Sequence, residues 1–134
     1  MDFPRALKTA SAIAAWGSVA FIAFATMSPI QARPHLSSQG IEHIGAFAVV
    51  GLLFGIAHPR RLPLVAAGIV LVAGGLEAAQ HLTPDRHGKW VDFGMKVLGG
   101  GIGLSVAAAI TISLELLAVR QKQRVKFKPF SDGV

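Results

Sequence analysis

The sequence predicts an all-α membrane protein, a bundle of four transmembrane helices with both termini in the cytoplasm. Three observations carry this. The chain is 52% hydrophobic and only 15% charged, with a mean hydropathy of +0.55, far from the balance of a soluble globule. It holds 15 glycines in 134 residues, and small residues recur where membrane helices approach closely. Its Lys and Arg residues flank apolar runs instead of interrupting them. A length of 134 residues suggests one domain, read as a four-helix transmembrane domain over 1–119 and a basic cytoplasmic tail over 120–134.

The first span follows a short polar start carrying Arg5 and Lys8. No charged residue occurs from Thr9 to Ala32, and Ala10–Met27 is almost wholly apolar. About 20 such residues cross a bilayer. The run is longer than the apolar region of a secretory signal and lacks a convincing small-x-small cleavage site, so an anchor is preferred to a cleaved signal peptide. Ser28–Ser38, with two prolines, is a loop.

The second run, Ile44–Ala57, is too short to span alone. It reaches the needed length when extended back to Gln39, which places Glu42 and His43 in its first turn. His58–Pro63 (HPRRLP) is a tight basic turn with Pro63 at a helix start. The third run, Leu64–Leu76, likewise spans only if it takes in Glu77, Ala78, Ala79 and Gln80. The fourth, from Asp92 to about Val119, is long enough unaided, and Arg120–Val134 is a solvated or headgroup-touching tail.

Four spans put both termini on one side. The start, the 58–63 turn and the tail hold nine Lys/Arg: Arg5, Lys8, Arg60, Arg61, Arg120, Lys122, Arg124, Lys126 and Lys128. The other two loops hold three: Arg33, Arg86 and Lys89. Positive residues favour the cytoplasm, which sends the start of helix two, the end of helix three and the start of helix four to the outer face.

That end of the bundle collects the polar residues. Glu77, Gln80 and His81 are spaced i, i+3, i+4 and share a helix face. A loop with Pro84, Asp85, Arg86, Gly88 and Lys89 follows, and then Asp92, Lys96, Gly99 and Gly103 line a face of the next helix. Ionisable groups inside a span are costly and face the bundle or a cavity. Asp92 and Lys96, acid first at i, i+4, are expected to pair along their own helix. Glu77 is expected to pair with Arg86 across the short turn, with Gln80 bonding either.

Two readings of this network stay open. It can be structural, because polar groups also hold membrane helices together. It can be a pocket for a polar or anionic headgroup, with Arg86 as the bidentate contact, Lys96 as a deeper point charge and Arg33 and His35 nearby. The ligand-binding set is then Glu42, His43, Glu77, Gln80, Arg86, Asp92 and Lys96. An enzyme would need a base and an orienter, for which His43 and Glu77 are the candidates; no catalytic residue is assigned. Glu77 and His81 lie one turn apart, a chelating spacing, but nothing resembles HExxH, so neither a metal nor a cofactor is expected.

Gly99-x-x-x-Gly103 suits close helix packing, inside the bundle more than between copies, with Gly100 and Gly101 widening the smooth surface. Gly51, Gly55, Gly74 and Gly75 are read the same way. Trp90 belongs at an interface, and Trp16, inside span one, faces lipid or a neighbour. The formal charge of +6 does not point to nucleic acid, since the basic residues form no stripe and do not interleave with aromatics. With no cysteine, disulfides, thiolate metal sites and a cysteine nucleophile are excluded.

Glu77-x-x-Gln80-x-x-x-Pro84-x-Arg86, followed by Asp92, Lys96, Gly99 and Gly103, resembles the VanZ-like membrane proteins. The resemblance extends to Glu42-His43 and Phe47 in helix two and to Ser28-Pro29 after helix one. It covers roughly Thr26–Leu104 by motif and the whole chain by four-helix layout. The chain departs from the family pattern at Gln39 and Gly40, where an acid and a lysine are usual, and at Lys96, where asparagine is usual. The resemblance implies a protein of the bacterial inner membrane with a cell-envelope or polysaccharide role. The family's founding member is associated with teicoplanin resistance. On this reading the protein is non-enzymatic and its partners are the lipid bilayer and an envelope lipid or glycan headgroup. The alternatives are a small assembly subunit with a membrane-protein partner, or an enzyme acting on lipid-linked phosphate or glycosyl groups.

Overall fold

The computed structural model describes residues 3–27, 39–81 and 90–126. They form four helices: α1 (Arg5–Met27), α2 (Gln39–Ala57), α3 (Leu62–His81) and α4 (Trp90–Lys126). All four are long and apolar enough to cross a membrane, which marks a multi-pass membrane protein. Lipid offers the backbone no partner, so a helix, which satisfies its own N–H and C=O groups, is the shape these runs must take. Polar hydroxyls within the spans follow the same rule. Ser18, Ser105 and Thr111 each donate to the carbonyl four residues earlier, at 2.9, 2.8 and 2.9 Å.

Both short runs become spans by taking in their polar ends: α2 begins at Gln39 and α3 continues to His81. Between them the chain reverses in four residues, His58 to Arg61. His58 N–H donates to Phe54 O at 2.8 Å and Arg61 N–H to His58 O at 2.9 Å. Pro63 then sits in the first turn of α3, where its missing N–H leaves no bond unmade.

The span expected from Asp92 to about Val119 lies within a longer helix, α4. This helix runs 37 residues, to Lys126, a length of about 55 Å at 1.5 Å per residue. A bilayer core is about 30 Å thick, so a substantial part of α4 extends beyond it. The basic tail therefore starts as helix, because Arg, Gln and Lys are good helix formers and need no buried face to continue one that has already nucleated.

Helix α2 is the centre of the bundle, packed chiefly against α4 and next against α1, while α1 and α3 barely meet. The α2–α4 register rises on both helices together, Ile44 facing Gly99, Ala48 facing Gly103 and Gly55 facing Ala107. The two are therefore parallel, as alternating spans require. A Cβ at Gly99 or Gly103 would run into α2 backbone, and one at Gly51 into the Gly100 carbonyl. Gly75 and Gly101 differ from the packing role expected of them: a Cβ on either meets nothing within 4 Å. Phe47, Ile69, Ala73 and Leu104 form the buried core, with Phe93 and Val97 against it. Most other large apolar residues, such as Leu71 and Phe24, point outward, as a lipid-facing surface should.

Candidate functional site

The end of α3 and the starts of α2 and α4 lie together at one end of the bundle. Lys96 is two turns inside α4 and Glu77 one turn from the end of α3, so the two sit at similar depth. The Lys96 ammonium donates to Glu77 Oε1. Lys96 is 0% exposed and Glu77 8%. An ammonium in such a place requires an anion in the same layer, since desolvation of a lone ion costs several kcal/mol.

This corrects the pairing expected from spacing. Lys96 binds Glu77 across the helix–helix contact and not Asp92 along its own helix. The i, i+4 partner lies a turn nearer the membrane surface, where α4 is partly exposed, whereas Glu77 meets the lysine within the enclosed layer. Glu77 therefore already has a cationic partner among the described residues. Arg86, expected as that partner and as the bidentate headgroup contact, lies outside the described residues, as do Arg33, His35 and Lys89.

Asp92 faces α2 instead. Its Oδ2 is 4.0 Å from His43 Nε2, and both side chains are 15% exposed. That separation is too long for a hydrogen bond but close enough for a charge contact when the imidazole is protonated. Glu42 is half-buried beside His43. Gln80, one turn beyond Glu77, is 7% exposed. Six of the seven expected ligand residues thus come from three helices to one end, as an inner ion pair and an outer His43–Asp92 contact.

The second oxygen of Glu77, Oε2, is buried and has no hydrogen-bond partner among the described residues. A buried acceptor left unsatisfied is costly. The charge balance of the described cluster is three carboxylates, Glu42, Glu77 and Asp92, against the single ammonium of Lys96. The lysine is enclosed and occupied by Glu77, and the acceptor left without a partner in that pair is Glu77 Oε2. A buried carboxylate oxygen of this kind accepts from a hydroxyl or ammonium donor. Among the described residues no three His, Asp or Glu side chains are grouped to hold a metal ion.

The inner pair is what spacing rules missed. Depth was the signal available: counting residues from each helix end puts Glu77 and Lys96 in facing layers once α3 and α4 are antiparallel neighbours. No protein-family model, curated protein or solved structure matches the chain.

Proposed function

We propose that the protein is a non-enzymatic, VanZ-like protein of the bacterial inner membrane, and that this polar end binds a hydroxyl-bearing envelope lipid or glycan headgroup. The observation that carries the reading is the unsatisfied Glu77 Oε2 at the base of a carboxylate-rich cluster built by three helices. The Lys96 pair fixes that carboxylate, and Asp92, His43, Gln80 and Glu42 lie at the same end of the bundle. Arg86, in the sequence between α3 and α4, is the cation proposed to meet a phosphate. The positive-residue bias supports an outward-facing site and cytoplasmic termini.

The test is mild extraction of the tagged protein and mass spectrometry of the lipids that leave with it. Wild type should carry a glycan-bearing lipid enriched about tenfold over its share of the membrane, a difference of about 1.4 kcal/mol. Asp92→Ala and Arg86→Ala should lose that enrichment at unchanged yield. A stoichiometric protein partner with no selected lipid sinks the reading. That outcome would favour an assembly subunit, a role that the complete enclosure of Lys96 also suits.

Orientation has its own check. The chain has no cysteine, so a single cysteine at Thr83 should react with an impermeant maleimide in intact cells. Reaction only after permeabilisation would reverse the topology.

A further inference from the structure

A second feature lies at the opposite end of the bundle and takes no part in the site above. Because α1 and α3 barely touch, they leave a groove whose floor is α2. Phe47, Val50, Phe54 and His58, at i, i+3, i+7 and i+11, give one continuous stripe of that floor. Trp16 of α1 closes one wall and Gly68 of α3 lies on the other. The cavity measures about 260 Å³.

Its polar groups are confined to one mouth. Among the described lining residues the only ionisable ones are His58 and Arg61, both exposed and both in the turn between α2 and α3. A shallower depression shares Trp16 and His58 and is bordered by Lys8. No acidic residue lines either. The imidazole is held at the mouth by stacking on Phe54, with ring centroids 6.5 Å apart, and Phe54 in turn meets Trp16 edge-on at 5.3 Å.

The dimensions match one leaflet. From Phe47 to His58 is eleven residues of helix, about 16 Å, close to half of a hydrocarbon core about 30 Å thick. An apolar slot of that length, ending at the Arg61 guanidinium and the His58 imidazole, matches one chain and one anionic phosphate of a leaflet lipid. A cavity of this volume is too small for both chains.

We propose that the groove between α1 and α3 is a binding site for an anionic phospholipid, with one acyl chain along Phe47–Phe54 and its phosphate at Arg61 and His58. Arg61 supplies a planar fork suited to phosphate oxygens, and Lys8 adds charge from the neighbouring mouth. This site stands apart from the headgroup reading at the other end and survives that reading's failure.

The experiment is native mass spectrometry of the detergent-purified protein with phosphatidylglycerol or phosphatidylcholine of identical chains. Wild type should retain one phosphatidylglycerol with about tenfold preference over phosphatidylcholine. Arg61→Gln, at an exposed turn position, should bring the two lipids to near parity. Gly68→Leu should lose the retained lipid of either kind. A Cβ at Gly68 meets nothing within 4 Å, so the leucine can grow into the groove. Gly101→Leu, equally unobstructed on α4 and outside the groove, should behave as wild type.

Equal retention of the two lipids by wild type, or wild-type retention by Gly68→Leu, would overturn the proposal. So would a free fatty acid or a second copy of the chain found in place of the phospholipid. If Gly68→Leu fails to fold, the Arg61→Gln comparison decides by itself.

Discussion

Alanine at Glu77 or at Lys96 is expected to destabilise the bundle by about 3–5 kcal/mol, the usual cost of leaving one member of a buried ion pair uncompensated. Lys96 is wholly enclosed and its ammonium is bound to Glu77, so Glu77→Ala strands a cation that cannot snorkel to water without unpacking α4. Lys96→Ala strands a carboxylate whose other oxygen already lacks a partner among the described residues. The double variant Glu77→Leu/Lys96→Met should recover most of the loss, because apolar replacement of a buried pair is often neutral or stabilising. Unfolding of purified protein in mixed micelles, followed by helical circular dichroism, gives the four corners of a double-mutant cycle. Additive losses in the double variant would show that the two side chains do not stabilise each other. The same double variant bears on function. Folded but stripped of Glu77 Oε2, it should lose the headgroup-bearing lipid, which separates a binding carboxylate from one that only holds helices together.

This pair also shows where the sequence is legible and where it is not. The helices could be read because lipid imposes a one-dimensional rule: an apolar run of sufficient length must become a span. Even the short runs of α2 and α3 obeyed it once Glu42 and His43, or Glu77 and Gln80, were admitted into helix ends. The gathering of these residues at one end followed from alternating spans alone. Partner choice is different. Local rules offer Lys96 a carboxylate at i−4, but pairing inside a bundle depends on which groups are enclosed at the same depth, and that is a property of packing. The far end of α4 shows a related limit. Charge ends a membrane span but does not end a helix, and the sequence Arg120–Lys126 continues one. The α1–α3 groove left still less trace, since a gap is the absence of a contact and has no spacing pattern of its own.

Glycine to alanine substitutions should change stability with opposite sign on the two sides of α4. In a helix interior the change normally gains about 1 kcal/mol, because glycine is the poorer helix former. At Gly101, and at Gly75 in α3, the new methyl group meets nothing within 4 Å, so a gain of up to that size is expected. At Gly99 and Gly103 the methyl would strike the Ile44 and Ala48 carbonyls. Overpacking against side chains typically costs about 1–3 kcal/mol, and a backbone carbonyl cannot rotate away as a side chain can. Here α2 and α4 must separate, and the cost should reach or exceed the top of that range. Separation would also slide Phe47 off the core and draw His43 from Asp92, so these two alanines should weaken both the fold and the polar end. The measurement is the same micellar unfolding, run on Gly75→Ala, Gly99→Ala, Gly101→Ala and Gly103→Ala side by side. If all four shift stability alike, the close α2–α4 contact is not what sets the bundle's geometry. If only Gly99→Ala and Gly103→Ala lose stability, the spacing of two glycines one turn apart determines how near the polar ends of α2 and α4 can come.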